Sequence, residues 1–254
     1  MEFPSFALDD KVALVTGGDK GIGQGIALAL ANAGAGVVFT TRQLARAEET
    51  VRLIQELGRP VLALELDVRD LTMMQRVVDG ALTRFGHIDV LVNNAGYNFV
   101  QKPFEVTEEK WDEIYDINVK GLFFMSQTVG RVMGEQGGGK IINIASQAGF
   151  VAMPGRVTYC SSKAAVIHMT RVLALEWAPL GILVNAVAPT FIRTQLTAPM
   201  LDEPDFGRYV DDMILLGRLG TPQDVAGAVI YLASPAADMV TGHTLVVDGG
   251  WTIH

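Results

Sequence analysis

Seven short apolar segments alternate with longer stretches of helical periodicity along this 254-residue chain. Strands are predicted over residues 12–16, 36–41, 61–67, 88–93, 140–145, 182–188 and 244–247. Most of these segments are apolar at consecutive positions, which is typical of parallel strands covered on both faces. Helices are predicted between them over residues 22–33, 44–57, 71–85, 108–136, 157–178 and 222–233. This alternation predicts an α/β fold in which right-handed crossovers build one parallel seven-stranded sheet flanked by helices.

Two segments depart from this simple pattern. The predicted helix 108–136 is too long for one ordinary helix, so we expect a bend near residues 117–121. Residues 199–209 contain Pro199, Pro204 and Gly207 among several acids, which predicts a loop or lid with short helical pieces nearby. No linker-like tract and no internal repeat divides the chain. We therefore expect one domain over residues 1–254, with a lid at about residues 195–215.

Composition narrows the classes of function. The chain contains 49% hydrophobic and 19% charged residues, which excludes a disordered protein. Cys160 is the single cysteine, which excludes an internal disulfide, and no Cys/His cluster has the spacing of a metal site. The net charge of −8 argues against nucleic acid as the ligand. The N-terminus lacks signal-peptide features and the apolar stretches are too short for a bilayer, so we expect a cytoplasmic protein with no membrane partner.

A glycine-rich segment lies between the first predicted strand and the first predicted helix. It has the sequence TGGDKGIG at residues 16–23. Its glycines permit a tight turn and close approach of the backbone to a pyrophosphate, and the helix N-terminus offers free N–H groups. The competing interpretation is a turn without a ligand, but the strand–turn–helix context favours a dinucleotide. The residues predicted to bind it are Gly17, Gly18, Asp19, Lys20, Gly21, Ile22 and Gly23.

The spacing Thr-Gly-x-x-x-Gly-Ile-Gly resembles that of the short-chain dehydrogenase/reductase family. The resemblance extends over essentially the whole chain, through Asn93-Asn94-Ala95-Gly96, Asn118, Ser146, Tyr159 with Lys163, residues 189–194 and Asp248-Gly249-Gly250-Trp251. It implies a doubly wound Rossmann fold and an oxidoreductase that acts on CH–OH groups with a nicotinamide cofactor. It also implies cofactor contacts from Asn94, Ala95, Gly96, Ile192 and Thr194. The chain has Thr190 where the family usually has glycine, which leaves the backbone conformation there open.

The residues after the second strand bear on the choice of cofactor. Thr41 stands about 20 residues after Gly21, where a site that prefers NAD usually has an acid. Arg42 follows it, and Lys20 lies within the glycine-rich segment. Two cations attract a 2′-phosphate, so we predict NADP(H), the alternative being that both are solvated surface charges. Asp67 and Val68 resemble the pair that contacts adenine in the family, and a plain helix N-terminal acid is the alternative for Asp67.

Four polar residues form the predicted catalytic set. Tyr159 and Lys163 are spaced i, i+4 on a predicted helix, so both project from one face. We expect the ammonium to lower the pKa of the phenol, so that Tyr159 serves as acid and base. Ser146 directly follows the fifth strand, where its hydroxyl can orient a carbonyl oxygen. The family resemblance implies that Asn118 holds a water that relays protons to Lys163, and that Lys163 hydrogen-bonds the nicotinamide ribose.

The expected substrate is a small polar ketone or its secondary alcohol, of the keto-sugar, sugar-acid or polyol type. The predicted pocket residues are Tyr97, Asn98, Gln147, Phe150, Met153 and Phe191, with Met200, Phe206, Tyr209 and Met213 from the lid. The pattern resembles the gluconate 5-dehydrogenases and polyol dehydrogenases of the family. The alternative is a 3-oxoacyl-acyl-carrier-protein reductase, although residues 135–139 and 179–181 lack the arginines that dock an acidic carrier. A third reading is an NADP(H)-binding sensor without turnover.

Two predicted helical stretches are apolar over much of their length. They cover residues 118–131 and 157–178. Pairing across two-fold axes would bury these faces, and the family commonly forms tetramers in this way. We therefore expect a homo-oligomer, with a homotetramer favoured.

Overall fold

A sheet of seven parallel strands forms the centre of the protein, whose computed structural model describes residues 3–253. The strands are β1 (Val12–Val15), β2 (Gly36–Thr41), β3 (Val61–Glu65), β4 (Val90–Asn93), β5 (Gly139–Ile144), β6 (Ile182–Pro189) and β7 (Thr244–Val247). Their spatial order is β3-β2-β1-β4-β5-β6-β7, and every neighbouring pair is parallel. The predicted parallel α/β fold is confirmed, with strand ends that differ from the prediction by at most two residues.

Helices connect the strands and cover both faces of the sheet. They are α1 (Gly21–Asn32), α2 (Glu48–Glu56), α3 (Leu71–Phe85), α4 (Glu108–Tyr115), α5 (Leu122–Gln136), α6 (Val157–Trp177), α7 (Ala198–Leu201), α8 (Pro204–Met213) and α9 (Pro222–Ala233). The predicted helix 44–57 is divided into a 3₁₀ turn over Leu44–Arg46 and α2. Within residues 3–253, none of the helices combines the length and the apolar character that crossing a membrane requires.

The strands bury side chains on two sides because successive residues of a strand point to opposite faces. Leu14 belongs to the apolar cluster that includes Met74 and Met125, on the side of α3 and α5. Its neighbour Val15 belongs to the cluster that includes Ile26 and Leu30, on the side of α1. The continuous apolar character of β1 in the sequence therefore reflects burial from both sides.

The strand order reverses direction at β1, between its neighbours β2 and β4. Chain connections leave this point toward opposite faces of the sheet, which opens a crevice beyond the carboxyl ends of β1 and β4. The glycine-rich segment follows β1, and Asn94 follows β4. The fold thus brings two of the predicted motifs to the mouth of one crevice.

The bend predicted near residues 117–121 is a π-helix over Asp116–Gly121, inserted between α4 and α5. Gly121 allows the segment to pack closely against the chain after β3, since a Cβ there would lie 2.5 Å from the Val68 carbonyl oxygen. A π-helical insertion adds a residue to the turn and turns nearby side chains. Asn118 consequently faces the crevice region and is buried.

The segment predicted as a lid is more helical than expected. Its residues 199–209 were predicted to form a loop with short helical pieces, whereas α8 alone spans ten residues. Pro199 and Pro204 each stand in the first turn of a helix, where a missing N–H costs nothing. The prolines therefore begin helices here, whereas the sequence pattern favours a loop at these positions. Val210 of α8 is fully buried and anchors the segment.

Candidate active site

The glycine-rich segment forms a tight cradle whose glycines are required by backbone conformation or by space. Gly17 and Gly21 have φ values of 67° and 56°, which favour glycine. A Cβ on Gly23 would overlap the Gly17 carbonyl oxygen and the Asn94 side chain. The first turn of α1 contains no acid, and its N-cap residue Lys20 makes no capping hydrogen bond. The free N–H groups of this helix end therefore lie open to an anion.

Thr16 and Asn94 hold the cradle against the end of β4. The Thr16 hydroxyl accepts hydrogen bonds from the backbone N–H groups of Asn94 and Ala95, both at 3.0 Å. The Asn94 amide donates to the carbonyl oxygens of Thr16 and Gly17 at 2.9 and 3.0 Å. The Asn94 amide nitrogen, on a residue predicted to contact the cofactor, is engaged with the loop. Asn94 and Thr16 thus set the shape of the cradle, a role that spacing did not reveal for Thr16.

The two cations expected to select NADP(H) are exposed at the same sheet edge. Lys20 is the N-cap residue of α1, and Arg42 follows β2 directly. Neither forms an ion pair within residues 3–253. Thr41, in the position of the missing acid, is buried and donates to the Gln43 carbonyl oxygen at 3.2 Å. Both cations beside the cradle are therefore exposed without an ion-pair partner in residues 3–253.

Asp67 and Val68 follow β3 at this edge, as predicted. The Asp67 carboxylate accepts two hydrogen bonds from the Arg69 side-chain Nε and is paired with the Arg69 guanidinium. The Arg69 hydrogen bond is the largest influence on Asp67 and lowers its pKa, and the charge of Arg42 acts in the same direction. Asp67 is therefore ionised at neutral pH and lies within electrostatic reach of Arg42.

The chain after β6 carries the residues expected at the nicotinamide. Thr194 approaches the cradle, since a Cβ on Gly21 would contact its methyl group at 3.4 Å. Ile192 is buried and forms a bridge with Gly220. Thr190, where the family usually has glycine, does not have a positive φ, so its backbone conformation does not require glycine. Its hydroxyl oxygen is buried without a hydrogen-bond partner in residues 3–253.

Tyr159 and Lys163 lie one turn apart on α6, as predicted. The Lys163 ammonium is 5.8 Å from the centre of the Tyr159 ring and donates a hydrogen bond to the Ile144 carbonyl oxygen at 2.8 Å. Burial lowers the pKa of Lys163 to about 8. Burial also raises the pKa of Tyr159, although a hydrogen bond with Ser146 and the charge of Arg156 act the other way.

The expectation that Lys163 lowers the pKa of Tyr159 is wrong for the protein's own groups. The spacing i, i+4 correctly predicted a shared face, but it could not predict that both groups are buried. Desolvation disfavours both charged forms and is the largest influence on each pKa. The protein groups therefore keep Tyr159 protonated at neutral pH.

Ser146 follows β5 and reaches the Tyr159 phenol. Its hydroxyl lies near enough to the Tyr159 phenol to lower the pKa of that phenol, and it donates to Gln147 Oε1 at 2.9 Å. It also accepts from the Ala148 backbone N–H at 3.2 Å, which caps the 3₁₀ turn Gln147–Gly149. Gly149 lets this turn pack directly on α6, where a Cβ would lie 3.0 Å from the Lys163 carbonyl oxygen. The turn thereby fixes Ser146 against Tyr159.

Asn118 is buried beside Lys163, with its side chain fully engaged. Its Oδ1 accepts from the Tyr97 N–H at 2.8 Å, and its amide donates to the Tyr97 carbonyl oxygen and to Ser162 Oγ. A Cβ on Gly96 would lie 3.4 Å from Asn118 Oδ1 and 3.7 Å from Lys163 Nζ. Asn118 therefore ties the loop after β4 to α6, which carries Tyr159 and Lys163.

Most predicted pocket residues come together beside Tyr159. One apolar cluster brings Tyr159 together with Met153, Phe191, Met200, Phe206 and Met213. Gln147 is buried and contacts the Met153 sulfur, and Tyr209 packs edge-on against Trp251 in the same region. Tyr97, Asn98 and Phe150 are exposed and do not belong to the cluster. Arg156, which is buried three residues before Tyr159, was not among the predicted site residues.

The site has no metal-binding character in the part of the chain described. Residues 3–253 contain no group of three or more His, Cys, Asp or Glu side chains that could hold a metal ion. The chemistry available at this edge of the sheet consists of a phenol, a hydroxyl, two buried cations and a backbone cradle for an anion.

Comparison with known proteins identifies the class. A family model described as Enoyl-(Acyl carrier protein) reductase matches residues 17–252. A 2-dehydro-3-deoxy-D-gluconate 5-dehydrogenase of Dickeya dadantii is 43% identical over 248 residues, covering 97% of each chain. An NAD-dependent glycerol dehydrogenase of Listeria innocua is 41% identical over 250 residues, covering 98% of this chain and 96% of the relative.

The same relationship holds among solved structures. A gluconate 5-dehydrogenase from Burkholderia cenocepacia, in complex with NADP and tartrate, has a TM-score of 0.94 at 35% identity and matches 98% of both chains. The chain belongs to the short-chain dehydrogenase/reductase family. It is therefore an oxidoreductase of a family that binds a nicotinamide cofactor and acts on alcohol groups, as the motifs predicted.

Proposed function

We propose that this protein interconverts a small polar ketone and the matching secondary alcohol with NADP(H), using Tyr159 as the proton donor and acceptor. The observation that carries the proposal is the placement of Tyr159 one helical turn from Lys163, whose ammonium is 5.8 Å from the centre of the phenol ring, with Ser146 near enough to lower the pKa of that phenol. These groups lie at the carboxyl ends of the strands, on the same side of the sheet as the glycine cradle. An acid for a carbonyl oxygen and a site for a dinucleotide therefore share one crevice.

The residues at this edge fit a dinucleotide. The glycines of the cradle, Gly17, Gly21 and Gly23, are required by positive φ at the first two and by space at the third, and the cradle offers the positive end of α1 to a pyrophosphate. In this proposal Asp67 and Val68 contact the adenine, and Ile192 and Thr194 contact the carboxamide. A bound nicotinamide supplies or accepts the hydride. In this proposal the cofactor binds to a single domain, residues 1–254, and residues 195–215 are its lid.

The chain's own groups handle the proton. Ser146 and Tyr159 hold the carbonyl oxygen, and during reduction the Tyr159 phenol gives its proton to that oxygen as negative charge develops there. Oxidation runs the same transfer in reverse, from the alcohol to the phenolate. Burial raises the pKa of Tyr159, so the protonated form that reduction needs dominates at neutral pH. Lys163 has three N–H donors and gives one to Ile144, so others can orient a ribose.

Lys20 and Arg42 support a preference for NADP(H). Both are exposed and carry no acid partner within residues 3–253, so their charges are available to a 2′-phosphate. The relative from Listeria innocua is NAD-dependent, and the neighbour from Burkholderia cenocepacia binds NADP. Cofactor preference therefore depends on the individual residues after β1 and β2, and in this chain they are cations.

The names of the relatives favour sugar acids and polyols as substrates. Dehydrogenases of a keto-sugar acid and of glycerol are both more than 40% identical to this chain. The family description also mentions an acyl carrier protein, which makes an acyl thioester the competing substrate. An acidic carrier would meet a protein of net charge −8, without electrostatic attraction. NADPH oxidation with 5-ketogluconate and with an acetoacetyl thioester separates the two, and turnover of the thioester alone would reverse this choice.

The variant Tyr159→Phe tests the proposed chemistry. It removes the proton donor and keeps the ring, so the rate of ketone reduction should fall by about 10²–10⁴-fold. NADPH binding, followed by fluorescence titration, should stay near the wild-type value. Tyr115→Phe is the matched control, because Tyr115 stacks on Trp111 in α4 and lies outside the catalytic set. Reduction that survives in Tyr159→Phe would mean that another group donates the proton, and a wild-type protein that binds NADPH without turnover would be a sensor.

A homotetramer is part of this proposal. Helix α6 leaves apolar side chains at the surface, including Leu175, which is 79% exposed, whereas Phe123, Phe124 and Val132 of α5 are partly exposed. Pairing of these helices with a second copy would remove such surface from water. Light scattering of the purified protein measures the assembly directly, and a monomer would refute it.

A further inference from the structure

Arg156 is a buried cation beside the proposed proton donor, without a carboxylate partner in residues 3–253. The residue is 5% exposed, and no ion pair within that part of the chain includes it. The groups that act on its charge are Tyr159, Cys160 and Tyr209, two phenols and a thiol. Burial lowers the pKa of Arg156, but a guanidinium remains charged at neutral pH. The cleft therefore holds a positive charge that residues 3–253 do not neutralise.

The Arg156 guanidinium contacts a thioether and two aromatic rings. Its Nη2 donates to the Met200 thioether sulfur at 3.1 Å. Its guanidinium carbon lies 5.8 Å from the ring centres of Phe191 and of Phe206. A thioether is a weak acceptor, and aromatic rings offset only part of a cation's lost hydration. A carboxylate would accept two hydrogen bonds from the same planar fork and bind it far more strongly.

The position of Arg156 on its helix adds to the positive field. It is the N-cap residue of α6, whose first turn contains no acid and whose cap makes no side-chain hydrogen bond. The N-terminus of a helix is the positive end of its dipole, where a cation is unfavourable and an anion is favourable. A buried guanidinium and an uncapped helix end thus act together on the space next to them.

The guanidinium also packs on the apolar cluster that contains the proposed acid. Tyr159 follows Arg156 by three residues, and the charge of Arg156 acts on the Tyr159 phenol. Tyr159 belongs to the apolar cluster that contains Phe191, Met200 and Phe206, which are the partners of Arg156. A short ligand with its carbonyl oxygen at Tyr159 can therefore present its other end to the guanidinium.

We infer that Arg156 binds the carboxylate of the substrate, so that the protein selects hydroxy acids and keto acids over neutral polyols of the same length. The carboxylate would accept the hydrogen bond that Arg156 Nη2 now donates to the Met200 sulfur. The aromatic rings of the lid would enclose the ion pair. This inference rests on the proposed function, because it identifies the substrate class of the same site.

Binding of two six-carbon ligands tests the inference. Gluconate has a carboxylate, whereas sorbitol has the same number of carbons and no charge. Calorimetry on the NADP⁺-loaded protein should show tighter binding of gluconate to the wild type. Arg156→Gln should weaken the binding of gluconate by at least about 30-fold, which is the range for removing one partner of a buried charge pair. The affinity for sorbitol should change by less than about 3-fold. Arg156→Lys keeps the charge without the planar fork and should give an intermediate value.

Arg76→Gln is the matched control. Arg76 lies on α3 outside the pocket, carries the same charge and is exposed, and the variant should bind both ligands as the wild type does. The melting temperature checks folding, and removal of a buried charge should not lower it in Arg156→Gln. If that variant does not fold, Arg156→Lys decides the result. Wild-type protein that does not bind gluconate, or equal losses of gluconate and sorbitol, would overturn the inference.

Turnover separates this result from the proposed function. The variants are assayed with NADPH and 5-ketogluconate, beside fructose as the neutral ketose. A loss in kcat/KM confined to the keto acid supports the inference. Gluconate binding that depends on Arg156 in a protein without any turnover would refute the proposed reaction and leave the inference standing.

Discussion

The two walls of the crevice differ in the groups that form them: backbone forms one wall and buried side chains form the other. The wall at β1 consists of backbone, where Gly23 leaves no space for a side chain and Gly17 and Gly21 have positive φ values that favour glycine. The wall at α6 and the lid consists of buried side chains, among them the cations Arg156 and Lys163. The first wall offers N–H groups at the surface, and the second keeps charges away from water.

The difference determines what each wall costs the protein. A cradle of glycines is limited by space, so any added atom must move the backbone. A wall of buried charges is limited by electrostatics, because each cation has lost its hydration and gained few acceptors. Substitutions should therefore reduce stability at the first wall and can increase it at the second.

Gly23→Ala should produce the largest loss. Its methyl group would overlap the Gly17 carbonyl oxygen and the Asn94 side chain, so the cradle must open. Overpacking of a tight site against backbone costs about 3 kcal/mol of unfolding free energy. NADPH affinity should fall by roughly 1,000-fold, because the displaced loop no longer presents its N–H groups. Urea unfolding and fluorescence titration measure the two effects.

Gly227→Ala provides the control for Gly23→Ala. Gly227 lies in the middle of α9, and a Cβ there meets nothing within 4 Å in the described structure. The change should leave NADPH affinity unaltered and add about 0.5–1 kcal/mol to the unfolding free energy, since alanine favours a helix. Wild-type affinity in Gly23→Ala would show that side chains fit the cradle and would remove the distinction between the walls.

The double variant Lys20→Ala, Arg42→Asp should have the next largest effect. It replaces two exposed cations beside the cradle with a neutral group and an acid, so a 2′-phosphate is repelled. Loss of charge-assisted contacts is worth about 1.5–3 kcal/mol, so the ratio of kcat/KM for NADPH over NADH should fall by roughly 10²-fold. Steady-state kinetics with both cofactors measures this ratio.

Arg76→Asp is the control for that double variant. It introduces the same charge reversal on the exposed surface of α3, away from the cradle. The ratio for NADPH over NADH should stay within about 3-fold of the wild type. An unchanged ratio in the double variant would mean that Lys20 and Arg42 are ordinary surface charges.

Sequence reasoning succeeded where local pattern determines structure. The apolar strands, the glycines and the i, i+4 spacing of Tyr159 and Lys163 are local features, and the fold has all of them where they were predicted. The proline-containing lid segment was predicted mostly as loop, because Pro204 serves equally as a helix breaker and as a helix start.

Properties that depend on burial could not be predicted. The pKa of Tyr159 was expected to fall and is raised, since three-dimensional packing rather than helix spacing decides how much water reaches the phenol. Arg156 was not singled out for the same reason, because most arginines of a sequence are solvated. The first wall was thus largely readable from the sequence, and the second was not.

Lys163→Met sharpens the comparison at the second wall. Burial lowers the pKa of Lys163 from 10.5 to about 8, so its charge opposes folding by about 3 kcal/mol at neutral pH. Loss of its hydrogen bond to the Ile144 carbonyl oxygen offsets about 1 kcal/mol of the gain. At pH 7 the free energy of unfolding of the variant should exceed that of the wild type by about 1–2 kcal/mol, although the variant should lose activity. Lys102→Met, at an exposed lysine, should change stability by less than about 0.5 kcal/mol.

The advantage of Lys163→Met should depend on pH in a defined direction. Between pH 8 and 10.5 the unfolded wild type still binds the Lys163 proton while the folded protein releases it, so wild-type stability rises with pH over this interval relative to the variant. The gap measured in urea should therefore be constant below pH 8 and should close as the pH approaches 10.5. A gap that stays constant across this interval would mean that Lys163 is hydrated in the folded protein, and the second wall would then carry no electrostatic cost at this residue.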